Sequence, residues 1–230
     1  MKSFRRLSSS VLAACLLAAC AALAQTPAQP PPQQQAAPAV DEWIDNFDGK
    51  ALDAERWEQF SFQGVSGGKL KVEEGRLHMR GMGGSRSGVR TKRSFTGERF
   101  IVEGTITKVE MPLPDPNEKG ESLGTAVLTI MFDGSGRNRI EWIWTSEGTF
   151  EAWSVVDGAG ERLDNRKLAT RIKNPTLGIV RRGDEFLFML NGQEGLSKTI
   201  KNMPRNFRVM LYGWSSSENH WDSVRVVTAK

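Results

Sequence analysis

The stretch Arg139-Ile140-Glu141-Trp142-Ile143-Trp144-Thr145-Ser146-Glu147-Gly148-Thr149-Phe150-Glu151-Ala152-Trp153-Ser154-Val155-Val156 decides the fold, because it reads as two adjacent strands joined by a tight turn. Strand side chains alternate between faces, so Ile140, Trp142 and Trp144 fall on one side and Glu141, Ile143 and Thr145 on the other. In the return run Phe150, Ala152 and Ser154 alternate with Glu151, Trp153 and Val155, and Ser146-Glu147-Gly148 supplies the turn. With the Ile-Trp-Trp and Phe-Ala sets in the core, Glu141, Glu151 and Trp153 share the opposite face. That face holds acid beside an exposed aromatic ring.

Strand-length runs punctuated by glycine extend in both directions from this hairpin. Before it come Lys69 to Val72, a Glu74-Gly75 turn, Arg76 to Arg80, a Gly-rich bend at 81–88, Val89 to Phe95, Arg99 to Val109 and Thr125 to Phe132. After it, Asp157-Gly158 turns the chain, and Thr176 to Arg182, Glu185 to Leu190, a run through Thr199, Phe207 to Trp214 and Trp221 to Val227 follow. In Arg99 to Val109, Phe100, Val102 and Ile106 alternate with Glu103, Thr105 and Thr107, a half-buried pattern. No segment carries a helical period over a dozen residues. Strands at such spacing with Gly-rich turns predict an all-β domain of two packed antiparallel sheets. The segment 111–124, rich in Pro, Gly and charge, is long for a hairpin connection and is expected to form a rim or lid loop.

The chain begins with an export segment, residues 1–24. Lys2, Arg5 and Arg6 precede an apolar, small-residue run from Leu7 to Ala24 that is too short to span a membrane. Leu17-Ala18-Ala19-Cys20 resembles the lipobox of bacterial lipoproteins, with an earlier match ending at Cys15, while Ala22-Leu23-Ala24 fits ordinary signal cleavage. The expected location is therefore extracytoplasmic and bacterial: periplasm, outer membrane through a lipid on Cys20, or secreted. Both cysteines lie in this segment, so the mature chain has no thiol for a disulfide, a metal or nucleophilic attack. The formal charge of +4 includes the three basic residues of the export segment, and without them it is +1. Nucleic acid is not an expected partner. Apart from Thr26 and Val40, residues 25–40 are Pro, Gln and Ala, without charge, a tether that cannot bury a core. Residues 41–230 are enough for one sizeable domain.

Four stretches resemble the concanavalin A-like jelly rolls, the superfamily of lectins, laminin G-like modules and laminarinase-type glycoside hydrolases. They are Asn46-Phe47-Asp48-Gly49 with Leu52-Asp53 and Trp57; Glu74-Gly75-Arg76-Leu77; Gly178 to Asp184 leading into Phe186 and Asn191-Gly192; and Trp221-Asp222-Ser223-Val224-Arg225-Val226. The resemblance implies a two-sheet antiparallel jelly roll. It also implies a structural calcium on the convex side, held by Asp222 and a carbonyl near Gly75, since calcium takes six to eight oxygens. Laminarinase-type enzymes carry a nucleophile, a helper aspartate and a general acid on one strand, with two carboxyls flanking the scissile bond. Here the first acid matches Glu141, the helper position is Ile143, and the next acid is Glu147 in the turn. Glu141 and Glu151 facing each other across the hairpin remain the candidates for catalysis, and the opening stretch also resembles keto-disaccharide hydrolases of this fold. His78 and His220 have no partner acid that would make a triad, and zinc has no ligand cluster.

The face opposite the core, assembled from alternation, contains Glu103, Glu141, Glu151, Trp153, Arg208, Tyr212 and Trp214. Aromatic rings edged by carboxylates and guanidinium suit sugars, because C–H faces stack on the rings while the charged groups bond hydroxyls. The expected function is a non-catalytic carbohydrate-binding domain of the cell envelope whose partner is a polysaccharide or oligosaccharide. A glycoside hydrolase of the same fold and a structural envelope protein are the alternatives. In the structural alternative Trp153 and Trp214 form a second small core under the 111–124 loop.

Overall fold

The computed structural model describes residues 39–62, 69–80, 86–111, 123–170, 172–214 and 217–229. The export segment with Cys20, the tether up to residue 38, residues 112–122 of the proposed lid and residues 81–85 of the Gly-rich bend lie outside them. The described residues contain strands and turns and no helix. In chain order the strands are β1 (Val40–Asp45), β2 (Trp57–Ser61), β3 (Lys69–Glu73), β4 (Arg76–Arg80), β5 (Ser87–Thr91), β6 (Phe95–Thr96), β7 (Arg99–Glu110) and β8 (Thr125–Met131). There follow β9 (Arg139–Thr145), β10 (Thr149–Val156), β11 (Ala159–Lys167), β12 (Thr176–Arg182), β13 (Glu185–Leu190), β14 (Gln193–Thr199), β15 (Asn206–Gly213) and β16 (Glu218–Ala229).

These strands form two antiparallel sheets packed face to face. The first runs β14-β13-β12-β7-β16-β4-β3, with β1 also paired to β16; the second runs β11-β10-β9-β8-β15-β5-β2, with β6 paired to β15. The central hairpin is the β9–β10 pair, and it lies in the second sheet with Trp142 opposite Ala152 and Trp144 opposite Phe150. Two-residue turns such as Asp157-Gly158 and Asn191-Gly192 have both residues at positive φ, the backbone twist that closes a hairpin. β11 has the sequence AGERLDNRK and no apolar alternation, because it is an exposed edge strand that needs only backbone pairing to β10. Apolar periodicity therefore carries no signal for it.

The core between the sheets takes Ile140, Trp142, Trp144, Phe150 and Ala152 from the hairpin and Phe207, Val209 and Leu211 from β15. From the first sheet it takes Phe100, Val102, Ile106, Ile179, Phe186, Phe188 and Trp221. Trp142 ties the layers together: its ring lies 5.4 Å from that of Phe188, and its Nε1 donates to the carbonyl of Met189 at 2.8 Å. The opening stretch is a staple of the same core. Asp45 accepts from Trp57 Nε1 at 2.8 Å and from the backbone of Phe47 at 2.9 Å.

On the outer face of the first sheet His78 and His220 are register partners whose rings stack at 3.8 Å. Burial, and then the neighbouring His78, hold the His220 pKa below its ordinary 6.5, although Glu218 pulls the other way from 3.0 Å. A histidine with a lowered folded pKa binds fewer protons folded than unfolded. Its penalty is absent above about pH 6.5 and grows as pH falls below that value toward the folded pKa. Glu218, lowered chiefly by Lys108, adds stability that is lost at still lower pH. We expect unfolding free energy to decline below about pH 6.5, and His220→Gln to flatten that decline in urea titrations at stepped pH. An unchanged slope in the variant would remove His220 as the cause.

Candidate ligand-binding site

The register of the second sheet determines what lies on its outer face. Glu141 stands between Thr129 on β8 and Trp153 on β10, while Ile143 stands between Val127 and Glu151. Tyr212 and Met210 project to the same face from β15, flanking β8 on its other side. Val127, Met131, Ile143, Met210 and Tyr212 are buried together, with Phe60, Phe62, Trp153 and Trp214 packed against them. A second small core therefore covers much of the face expected to be an open platform, and the described residues that cover it are Phe60, Phe62, Trp153 and Trp214.

A pocket of about 200 Å³ remains, lined by Arg86, Arg139, Glu141, Trp153, Val155, Gly158, Gly160 and Trp214. Glu141 is only 2% exposed. Its Oε1 accepts from Arg139 Nε at 2.5 Å and from the Tyr212 hydroxyl at 2.7 Å. Trp214 Nε1 donates onward to the Tyr212 oxygen at 3.2 Å, so wall, tyrosine and carboxylate form one hydrogen-bonded chain. Burial, and then the Glu141 charge, push the Tyr212 pKa well above 10, which keeps the phenol neutral and a donor. Across the register, Thr129 Oγ1 is buried with no hydrogen-bond partner among the described residues.

Both tryptophan walls are held from behind. The Trp214 backbone donates to Thr125 Oγ1 at 2.7 Å, and Ser217 bonds back to the Trp214 carbonyl. Trp153 donates its indole N–H to Glu151 at 2.9 Å. Arg139 gains a second anchor on the carbonyl of Gly136 at 2.7 Å, in a loop organised by Asp133, which accepts backbone N–H groups from Ser135 to Asn138. The Arg86 guanidinium lies 5.1 Å over the Trp214 ring. The walls are thus pre-positioned rather than formed around a ligand.

The sequence-derived residues divide sharply. Glu141, Trp153 and Trp214 come together in the pocket. Tyr212 is 0% exposed and cannot present a ring face to a ligand; it serves Glu141 instead. Glu151 does not face Glu141: Trp153 does, and Glu151 sits on the diagonal, bonded to that indole. Glu103 belongs to the first sheet, where it pairs with Arg225 at 3.1 Å, because alternation along β7 gives the face but not the sheet. Arg208 shares the outer face of the second sheet but bonds Glu58 at 2.9 Å and does not line the pocket. Arg139, two residues before Glu141 on β9, lies on the same face, and that spacing is its signal in the sequence. Arg86, Gly158 and Gly160 carried no periodic signal, being a bend residue and parts of an edge hairpin.

The expected calcium ligands are also placed. Asp222 is an exposed residue of β16 whose carboxylate lies 3.9 Å from Arg76 Nε, and Gly75 sits in the β3–β4 turn with φ +70°. The guanidinium opposes a cation there, and no three His, Cys, Asp or Glu side chains converge on a metal position among the described residues. Calcium takes six to eight oxygens, so a site at Asp222 would draw the others from backbone carbonyls and water. A calcium-dependent rise in melting temperature is the result expected of a site there, and equal melting temperatures in calcium and in chelator would count against it.

No protein-family model matches the chain, and no curated relative does. Solved structures do. The endo-β-1,3-glucanase of Pyrococcus furiosus superposes with a TM-score of 0.62 over 82% of this chain and 94% of its own, at 15% identity. The β-glucanase of Bacillus licheniformis gives 0.61 over 82% and 98%, at 12% identity. The fold is the concanavalin A-like jelly roll. A laminarinase catalytic domain from Thermotoga petrophila shares this jelly roll, with a TM-score of 0.60 over 84% of this chain and 100% of its own at 12% identity. At these identities the jelly-roll likeness concerns architecture, and chemistry is argued from the pocket.

Proposed function

We propose that this jelly roll binds a carbohydrate in the pocket between Trp153 and Trp214 and does not cleave it. The observation that carries the reading is the pair of anchored indoles walling a pocket whose floor is a hydrogen-bonded carboxylate. Indoles stack on the apolar faces of sugar rings, and the charged groups between them bond hydroxyls. The volume of about 200 Å³ is below the roughly 300–1,000 Å³ of drug-sized pockets, and suits one sugar residue rather than a length of chain. Glycoside hydrolysis uses two carboxyls flanking the bond. Glu141 is the one carboxylate in the lining, it is already engaged by Arg139 and Tyr212, and Ile143 and Thr145 follow it on the same face of β9. The glucanases that share the fold support a carbohydrate as the ligand.

A glycan array followed by titration of the best ligand tests this. Trp153→Ala and Trp214→Ala should each weaken binding by about 1–3 kcal/mol, the range of aromatic stacking platforms, with little change in circular dichroism. An array without hits from the folded parent would sink the reading. Turnover of an oligosaccharide that disappears in Glu141→Gln would replace it with an enzyme.

The same proposal places the domain outside the cytoplasm, carried by residues 1–24 and tethered through the Pro/Gln/Ala segment from residue 25, which gives way to β1 at Val40. Labelled palmitate incorporated by the parent and absent from Cys20→Ser is the expected result for a lipid anchor. Equal processing of both chains would point to ordinary signal cleavage.

A further inference from the structure

A groove of about 930 Å³ that shares no residue with the Trp153–Trp214 pocket opens where β6, β7, β12 and the end of β16 meet. Four guanidiniums line it, from Arg93, Arg99, Arg182 and Arg205, against the two carboxylates of Asp41 and Glu98. Both carboxylates are spoken for: Arg93 pairs with Asp41, and Arg205 Nε lies 2.8 Å from Glu98. Arg99 and Arg182 are left over, and they are register partners on β7 and β12. Directly opposed side chains in an antiparallel pair have Cβ atoms about 4.5–5.5 Å apart, and like charges there destabilise the sheet. Among the described residues neither arginine makes an ion pair. Glu185, opposite Arg182 on its other side, accepts a hydrogen bond from Ser197 at 2.9 Å.

The groove wall is also rigid. Arg181, buried at the next position, donates to the carbonyls of Gly183 at 2.7 Å, Met203 at 2.6 Å and Pro204, fastening the β12–β13 turn to the segment that carries Arg205. Two facing guanidiniums that make no ion pair among the described residues, on a fixed wall whose lining carries an excess of two positive charges, match a tetrahedral anion that accepts paired N–H bonds. We propose that this groove binds a phosphate group of net negative charge, with Arg99 and Arg182 as its principal donors, carried by an anionic lipid headgroup or by soluble inorganic polyphosphate. The proposal is independent of the glycan reading, since it uses another sheet and other residues.

The test uses the Gln25–Lys230 chain, which contains the whole sandwich and lacks the apolar export segment. Its binding is measured to short-chain polyphosphate, and to phosphatidylcholine vesicles with and without phosphatidylglycerol. The expected result is binding to at least one phosphate probe and none to pure phosphatidylcholine, with affinity falling tenfold or more in Arg99→Ala/Arg182→Ala. Vesicle binding alone identifies the headgroup, and polyphosphate binding alone the soluble polymer. Because the replaced charges repel, the double variant should melt no lower than the parent. Arg99→Gln alone, expected to weaken binding severalfold, gives a second reading if the double variant folds poorly. A parent that binds neither probe, or variants that bind as well as the parent, overturns the proposal.

Discussion

Glu141→Ala is expected to lower the unfolding free energy by about 3–5 kcal/mol, the cost of breaking a buried charge pair by removing one partner. The side chains of Glu141 and Arg139 are 3% and 12% exposed, so solvent does little to screen them. Alanine would leave the Arg139 guanidinium short of its counter-charge and the buried Tyr212 hydroxyl without its acceptor. Glu141→Gln retains an acceptor at the same place and should cost less, about 1–3 kcal/mol. Urea unfolding with unchanged m-values would show the order parent, Gln, Ala. This differs from what an exposed acid on a binding face would do, where replacement changes selectivity and leaves stability alone. If Glu141→Ala unfolds at the parent's midpoint, the hydrogen-bonded chain from Trp214 through Tyr212 to Glu141 contributes nothing to the fold, and the pocket floor is not pre-organised.

Trp142→Ala should be at least as damaging, at about 3–5 kcal/mol, the usual cost of deleting a large aromatic side chain from a core. The residue is 0% exposed, and its indole bridges the layers by packing on Phe188 and bonding the Met189 carbonyl. The β13–β14 pairing slips register at Phe188/Met189, so the Met189 carbonyl sits where the ladder is irregular and the indole N–H is its partner. Trp142→Phe keeps most of the apolar volume but removes that donor, and is expected to cost about 1–2 kcal/mol, near the value of one buried hydrogen bond. Against a total stability of about 5–15 kcal/mol, the alanine variant falls close to the limit of folding. A Trp142→Ala protein with near-parent stability would mean that the sheets do not depend on this bridge.

The two variants act on opposite faces of one strand, which is also where sequence and structure part company. Period-2 alternation is a local property of the extended chain. It alone placed Ile140, Trp142 and Trp144 inside and Glu141, Ile143 and Thr145 on the other face, as observed. The glycine-bearing turns followed equally from local chemistry, since Asp157-Gly158 and Asn191-Gly192 need a backbone that tolerates positive φ. The two-sheet sandwich was legible for these reasons. β11 was not, because an edge strand held by backbone pairing needs no side-chain pattern.

What alternation could not supply was which strand neighbours which, and in what register. Glu103 and Glu141 have the same local pattern yet belong to different sheets. A hairpin drawn on paper allows Glu141 to face Glu151, whereas the actual pairing sets Trp153 opposite Glu141. Tyr212 alternates as an outer-face residue, and the packing of Phe62 at 5.5 Å and of Trp214 buries it there. That burial converts Tyr212 from a stacking surface into a hydrogen-bond donor. The sequence by itself determined the strands, their faces and the aromatic and acidic character of the outer one. Only the tertiary structure decided that Glu141, Trp153 and Trp214 meet over Arg139 while Glu103, Arg208 and Glu151 do not, because those distances depend on strand order and register, which are set by contacts between residues far apart in the chain.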